Sequence, residues 1–210
     1  MANNKTSFSI VLVMLFGIGL FFIGTDGFTA FTAETARVNK LLEDQPEFPP
    51  VTFQDSKERQ YSIDEFKGNY VLITFFYSAC TTVCIDLEMN MSELYDKIPK
   101  KYIGNGIDFL SISFDPKRDD PAKLDLYKNM FNSDGETWRM ARIPDQQELD
   151  GLLDEFGVIV IPDDYGNYAH NSAFYLVNPN GKLSEVMDFR HVDAAAETIL
   201  AILDSEADPS

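Results

Sequence analysis

Tyr70 to Cys84 reads YVLITFFYSACTTVC. Its first eight residues, Tyr70 to Tyr77, form an unbroken β-branched and aromatic run, the pattern of a strand buried on both faces in a mostly parallel sheet. Directly behind it, Cys84, Leu87, Met91, Leu94 and Ile98 recur at helical spacing and predict an amphipathic helix that ends at or before Pro99. The cysteines therefore fall at a junction between a central strand and its following helix.

Working outward, Ile107 to Phe114 is strand-like, and Asp120-Pro121 supplies an N-cap and a first-turn proline that open a helix to about Phe131. A third helix starts at Asp145, with Glu148 three residues on as an Asp-x-x-Glu capping box. Ser172 to Val177 and Lys182 to Phe189 read as antiparallel strands joined by Asn178-Pro179-Asn180-Gly181, and a helix from about Asp193 to Leu203 closes the chain. This order predicts an α/β sheet with helices on both faces. A thioredoxin-like arrangement satisfies it, as would other α/β folds.

Ahead of the domain, Phe8 to Gly24 reads FSIVLVMLFGIGLFFIG, an uncharged run of 17 residues at the lower limit for a helix spanning ~30 Å of hydrocarbon. The cleavage positions that follow, Ala30 and Ala33, carry Phe28 and Phe31 at −3 where a signal peptide has small residues. The expectation is a single N-terminal transmembrane helix kept as a membrane anchor over 1–24, a partly helical tether over 25–46, and a thioredoxin-like domain over 47–210 that begins near Phe48-Pro49-Pro50. Lys5 before the run, with Asp26 and Glu34 after it, places the amino terminus in the cytoplasm. The domain is then expected on the extracytoplasmic face of the cytoplasmic membrane, periplasmic or outer.

Lys5 is the only charged side chain before Asp26, so the rest of the chain sets 16 basic against 34 acidic side chains and carries −18 of formal charge. Such a surface repels phosphate, and nucleic acid is excluded as a partner.

The chain has two cysteines, Cys80 and Cys84, in Cys-Thr-Thr-Val-Cys. Amides at a helix amino terminus are unpaired donors at the positive end of the macrodipole, so a thiolate is favoured there and the first cysteine is the reactive one. Three readings compete: an inert disulfide staple, a dithiol pair exchanging electrons with a partner, and a pair of metal ligands. A staple around about five residues stabilises by only ~2 kcal/mol. His170, in Tyr168-Ala169-His170-Asn171-Ser172, stands at the start of the strand leading into the hairpin. In a thioredoxin-like fold the loop there packs against the cysteine loop, and members that do only disulfide chemistry carry a cis-proline at that place. No proline lies between Ala169 and Leu176. A histidine facing two thiolates makes a Cys₂His set, in which thiolate favours Cu(I) and imidazole suits Cu(II). Structural zinc wants a fourth protein ligand, and none is evident.

Residues 47 to 190 resemble the Sco/SenC family, most specifically in YVLITFFYSACTTVC (70 to 84), Asp115-Pro116-Lys117-Arg118-Asp119, and HNSAFYLVNPNGKL (170 to 183). The resemblance implies a thioredoxin-like domain outside a membrane, copper held by Cys80, Cys84 and His170, and help in assembling the dinuclear copper centre of cytochrome c oxidase. Its implied partners are the copper-accepting subunit of that oxidase and a thiol reductant protein. The family commonly has proline after each cysteine, where this chain has Thr81 and Ile85 and so lacks two fixed φ angles. Copper transfer needs no turnover. The alternative is a thiol-disulfide oxidoreductase in which Cys80 attacks a partner disulfide and Cys84 resolves it. A peroxidatic site would need Pro and Thr where Ile73 and Tyr77 stand. Asp115 and Arg118 read as solvated strand-end charges, His191 and Met89 as surface residues, and Met91 as helical packing.

Overall fold

The computed structural model describes residues 4–24 and 32–207. Residues 25–31, with the Phe28 and Ala30 cleavage position, lie outside them. The elements are α1 (Asn4–Gly24), α2 (Ala33–Asp44), β1 (Phe53–Asp55), β2 (Gln60–Tyr61), β3 (Tyr70–Phe76), α3 (Val83–Lys97), β4 (Ile107–Ser113) and α4 (Pro121–Met130). They continue with β5 (Trp138–Arg142), α5 (Gln146–Glu155), β6 (Val160–Pro162), β7 (Tyr168–His170), β8 (Phe174–Val177), β9 (Leu183–Met187) and α6 (Val192–Ala207).

The chain divides into two compact units, one up to Asp44 and one from Gln45 onward. In the first, α1 carries apolar side chains that are exposed along its length, Phe8 at 71% and Ile23 at 78% among them. Among the described residues no helix is long and apolar enough to cross a membrane. The transmembrane expectation for residues 1–24 thus has no structural support of its own: the run Phe8 to Gly24 is 17 residues, against the ~20 that a span usually takes. Part of the expected tether is helical, as α2.

The second unit is built on a seven-stranded sheet in the order β2-β1-β5-β4-β3-β8-β9. All seven residues of β3 are buried, as a strand with neighbours on both edges and layers on both faces requires. It runs parallel to β4 and antiparallel to β8, with Ile73 opposite both Leu110 and Tyr175. Side chains alternate across the strand. On one face Thr74 meets Glu88 of α3 and Phe76 stacks on Tyr127 of α4, ring centroids 4.7 Å apart. On the other, Phe75 packs edge-on against Phe156 and Tyr175.

Helix starts follow local chemistry. Asp120 accepts from Lys123 N with Pro121 at the first position of α4. Asp145 accepts from Gln147 N and Glu148 N, but the reciprocal half of the expected capping box does not form. Glu148 instead accepts from Thr52 N at 2.7 Å and fastens the segment ahead of β1 to α5. The turn Asn178 to Gly181 joins β8 to β9, and Pro46 and Phe48 bond back to Leu183 and Gly181.

Three features escape the sequence pattern: the β1–β2 hairpin, β5, and the separate two-stranded sheet β6–β7. In β5, WRMAR looks too polar for an interior strand. Arg139 lays its guanidinium over Tyr61 at 4.8 Å and Phe66 at 5.1 Å and pairs with Glu65 at 3.4 Å, so its charge is held against aromatic faces and a carboxylate.

Leu72, fully buried in β3, and Met89, exposed on α3, make a matched test of this packing. Leu72→Ala is expected to cost about 3 kcal/mol in urea unfolding and Met89→Ala less than about 0.5 kcal/mol.

Candidate metal centre

The carboxyl end of β3 runs directly into the cysteine loop, and the loop is held from below. Asp119, fully buried, accepts from the backbone N–H of Ser78 at 3.0 Å and from the hydroxyls of Ser78 and Ser113. Cys80 N–H closes a turn onto Tyr77 O at 3.2 Å. At the start of α3 the N-cap residue Thr82 makes no side-chain cap bond. Cys80 Sγ takes that role and accepts from Cys84 N–H at 3.4 Å, one of the orphan amides of the first turn. Burial opposes ionisation of Cys80, but donors at Thr82 and Cys84 outweigh it and hold the thiol below its ordinary value. Cys84 is wholly buried, and burial pushes its thiol well up. Both cysteines are free thiols in this structure.

His170 reaches this pair from an element other than the expected one. It ends β7, whose partner strand is β6 with Val160 opposite His170, and the strand that enters the large hairpin begins only at Phe174. The small hairpin is docked through rings: Tyr168 packs edge-on to Tyr77 at 5.1 Å and to Phe114 at 5.6 Å, and Phe114 lies 4.9 Å from the His170 ring. The Tyr77 hydroxyl oxygen also accepts from the Tyr168 backbone N–H at 3.3 Å. Asp115 is not a solvated charge, whereas Arg118 is exposed, as expected. Asp115 is buried and ion-paired with Arg118, whose guanidinium lies 5.7 Å from the Tyr77 ring and 5.4 Å from that of Tyr168.

His170 Nδ1 lies 3.1 Å from Asn171 O. Ser172 Oγ lies 3.3 Å from the same nitrogen and can accept as well as donate; because the carbonyl only accepts, the tautomer that satisfies both carries its proton on Nδ1 and leaves the lone pair on Nε2, 3.3 Å from Cys84 Sγ. Burial lowers the imidazole pKa, against the Asn171 bond, and favours this neutral, ligand-ready form. The structure thus brings Cys84 and His170 into contact and places Cys80 Sγ against the Cys84 amide. Among the described residues no three His, Cys, Asp or Glu donors stand preassembled around one point. His191 and Met89 are exposed and Met91 is buried in packing, as expected.

Glu88 lies one helical turn beyond Cys84 and is fully buried. It contacts Thr74 Oγ1 and Ser111 Oγ, each at 2.7 Å, and those hydroxyls lie 3.0 Å from one another. Three O–H···O contacts need three protons and two hydroxyls supply two, so the closed ring is that of the neutral acid. Burial raises the carboxyl pKa to about 7, against the Ser111 and Thr74 bonds. Sequence reading missed Glu88 and Asp119. The signal for Glu88 was its place inside the apolar stripe Cys84, Leu87, Met91; that for Asp119 was its place in the Asp115 to Asp119 stretch that carries the family resemblance.

The family described as SCO1/SenC matches residues 40–206. The chain belongs to the SCO1/SenC family. The SCO1 protein homolog of Bacillus subtilis is 30% identical over 139 residues, covering 65% of this chain and 71% of the relative. Among solved structures, BsSco, described as a member of the Sco family of cytochrome c oxidase assembly proteins with a disulfide switch, aligns with TM-score 0.65 at 25% identity over 75% of this chain and 93% of its own. Yeast Sco1 with copper bound aligns with TM-score 0.64 at 21% identity over 76% and 90%. The fold is therefore the thioredoxin-like α/β fold of the family.

Two outcomes check this geometry. Near neutral pH a limiting dose of iodoacetamide is expected to label Cys80 ahead of Cys84 by at least about tenfold, read by peptide mass spectrometry, because only Cys80 combines a lowered thiol with a helix-terminal amide. For Glu88, a folded pKa of about 7 against an ordinary 4.5 means that the folded state binds the extra proton. Its contribution is full below about pH 4.5 and is lost as pH rises to about 7, a change of about 3 kcal/mol. Glu88→Gln can donate to Thr74 and accept from Ser111 at every pH. In urea unfolding it is expected to gain on wild type by about 3 kcal/mol between pH 4.5 and pH 8.

Proposed function

We propose that this chain binds copper through Cys80, Cys84 and His170 and delivers it in the assembly of the copper centre of cytochrome c oxidase. The observation that carries the reading is the His170 Nε2 lone pair directed at Cys84 Sγ, 3.3 Å away and beside a second thiol of lowered pKa. Two soft sulfurs and one imidazole accommodate Cu(I) and Cu(II), and few other divalent ions suit so thiolate-rich a set with no fourth donor. Family membership and the copper-bound state of yeast Sco1 support it. Copper is here the cargo. On loading, both thiols release their protons and Cys80 Sγ exchanges the Cys84 amide for the ion. An acceptor with more or better-placed ligands, in the copper-accepting oxidase subunit, removes it by exchange, and a thiol reductant protein keeps the pair reduced.

Residues 1–24 anchor the domain on the extracytoplasmic face in this reading. Support comes from α1: its apolar side chains face outward on all sides, a surface with no stable place in water.

The opposed thiols favour a second reading, exchange with a partner disulfide. Cys80 thiolate attacks one partner sulfur and expels the other as thiolate; Cys84, losing its proton, then attacks Cys80 Sγ, so the pair is oxidised to a disulfide and the partner reduced to a dithiol.

Copper(I) titration of the reduced full chain in lipid nanodiscs, against a competing chelator, separates them. One copper per chain is expected, with affinity falling at least about tenfold in Cys80→Ser, Cys84→Ser and His170→Ala, a loss of about 1.4 kcal/mol or more. Wild-type affinity in all three variants, or no binding while the dithiol still cycles in a redox buffer, would overturn the copper reading.

A further inference from the structure

Phe114 and Tyr168, the rings that pack around His170, also line a groove of about 690 Å³ on their far side. Leu153, Val158 and Pro162 continue its apolar wall, and Asp150 and Asp154 stand at its edge. Beside it the β6–β7 hairpin exposes Ile159 at 53%, Ile161 at 59% and Tyr165 at 90%. Scattered apolar residues on a surface need no explanation, but here they cluster on the element that carries His170.

The electrical character of this region is equally uneven. From Ile143 to Gly181 the chain holds seven Asp or Glu and no Lys or Arg. Asp145 and Asp163 are engaged in backbone bonds and Glu148 holds Thr52, but none of the seven forms an ion pair with a cation among the described residues. Lys117 is the one basic side chain lining the groove. Three carboxylates against Lys117 leave the groove net acidic beside the exposed hairpin side chains, a surface that disfavours anionic partners and steers cations toward it.

We propose that this groove, together with the exposed face of the β6–β7 hairpin, is the docking site for a protein partner that presents an aliphatic side chain flanked by Lys or Arg. The inference rests on the copper-transfer reading for its purpose. A partner seated there lies one ring away from His170, close enough to receive or supply the ion or electrons at the thiols. The aliphatic side chain meets the exposed Ile159 and Ile161 at the mouth of the groove while the flanking cations meet Asp150 and Asp154. A charge-based encounter also carries its own selectivity, since the surfaces of two copies of this acidic chain repel one another.

The full chain in zwitterionic nanodiscs, free of metal, is titrated into fluorescein-labelled Lys-Leu-Lys-Leu-Lys, Lys-Ser-Lys-Ser-Lys and Glu-Leu-Glu-Leu-Glu peptides, and binding is read by anisotropy. The Lys-Leu peptide is expected to bind and to weaken at least fivefold in the paired variant Asp150→Asn/Asp154→Asn, in Ile159→Ser/Ile161→Ser, and between low and high salt. The other two peptides are expected to bind at least fivefold more weakly. Equal binding of Lys-Ser, equal binding by both variants, no binding of any peptide, or self-association of the nanodisc particles through this face would each overturn the proposal. Copper titration of the same variants keeps the two readings apart. Retained copper binding with failed docking sinks only the docking site, and peptide binding by a chain that takes no copper sinks only the purpose assigned to it.

Discussion

Burial of β3 on both faces is the constraint on which the remainder depends. A strand with neighbours on each edge and aromatic layers above and below cannot shift by one residue without turning its whole side-chain set over. The register therefore delivers Ser78, Cys80 and Cys84 to one place, at the open end of the central strands. Asp119 then removes the freedom the loop would otherwise have, tying Ser78 to the same carboxylate that holds Ser113 at the end of β4.

Two thiols of the same chemistry acquire opposite character within one turn of backbone. Cys80 sits where a helix begins and its sulfur is the acceptor for an amide that lacks any intrahelical partner. Cys84 is one step into the helix, sealed between α3 and the sheet, with Glu88 a turn further along. Burial dominates there, and a neutral acid is the state of Glu88 least opposed to a thiolate above it. Such asymmetry serves either chemistry considered for the pair, because both metal ligation and disulfide exchange start from the sulfur more readily ionised and finish on the one less so.

The histidine is supplied by a different device. Its hairpin belongs to neither edge of the main sheet and is held by rings: Tyr77, Phe114 and Tyr168, with Arg118 across two of them and Asp115 anchoring the arginine. These contacts orient the imidazole, and the Asn171 carbonyl chooses its tautomer. The same rings turn their other sides to the acidic groove, so positioning of the ligand and presentation of a surface share one set of side chains.

Much of this protein was legible in the order of its residues. The apolar run at Tyr70 to Phe76, the helical stripe from Cys84, the caps at Asp120 and Asp145 and the turn at Asn178 to Gly181 are local signals, since each depends on neighbours a few residues away. Those signals placed both cysteines and the α/β order, and together with the family resemblance they named His170. What escaped was non-local. Arg139 makes β5 look polar until Tyr61 and Phe66 lie beneath it; Glu148 is a capping residue in sequence and a strut to Thr52 in space; Asp115 is a surface charge until the fold buries it and Arg118 pairs with it. The sequence by itself determined which chemical groups are present and which local elements carry them. Only the tertiary structure decided the charge state of Glu88, the difference between the thiols and the aim of His170, because burial and hydrogen bonding are set by residues that the chain brings together from far apart.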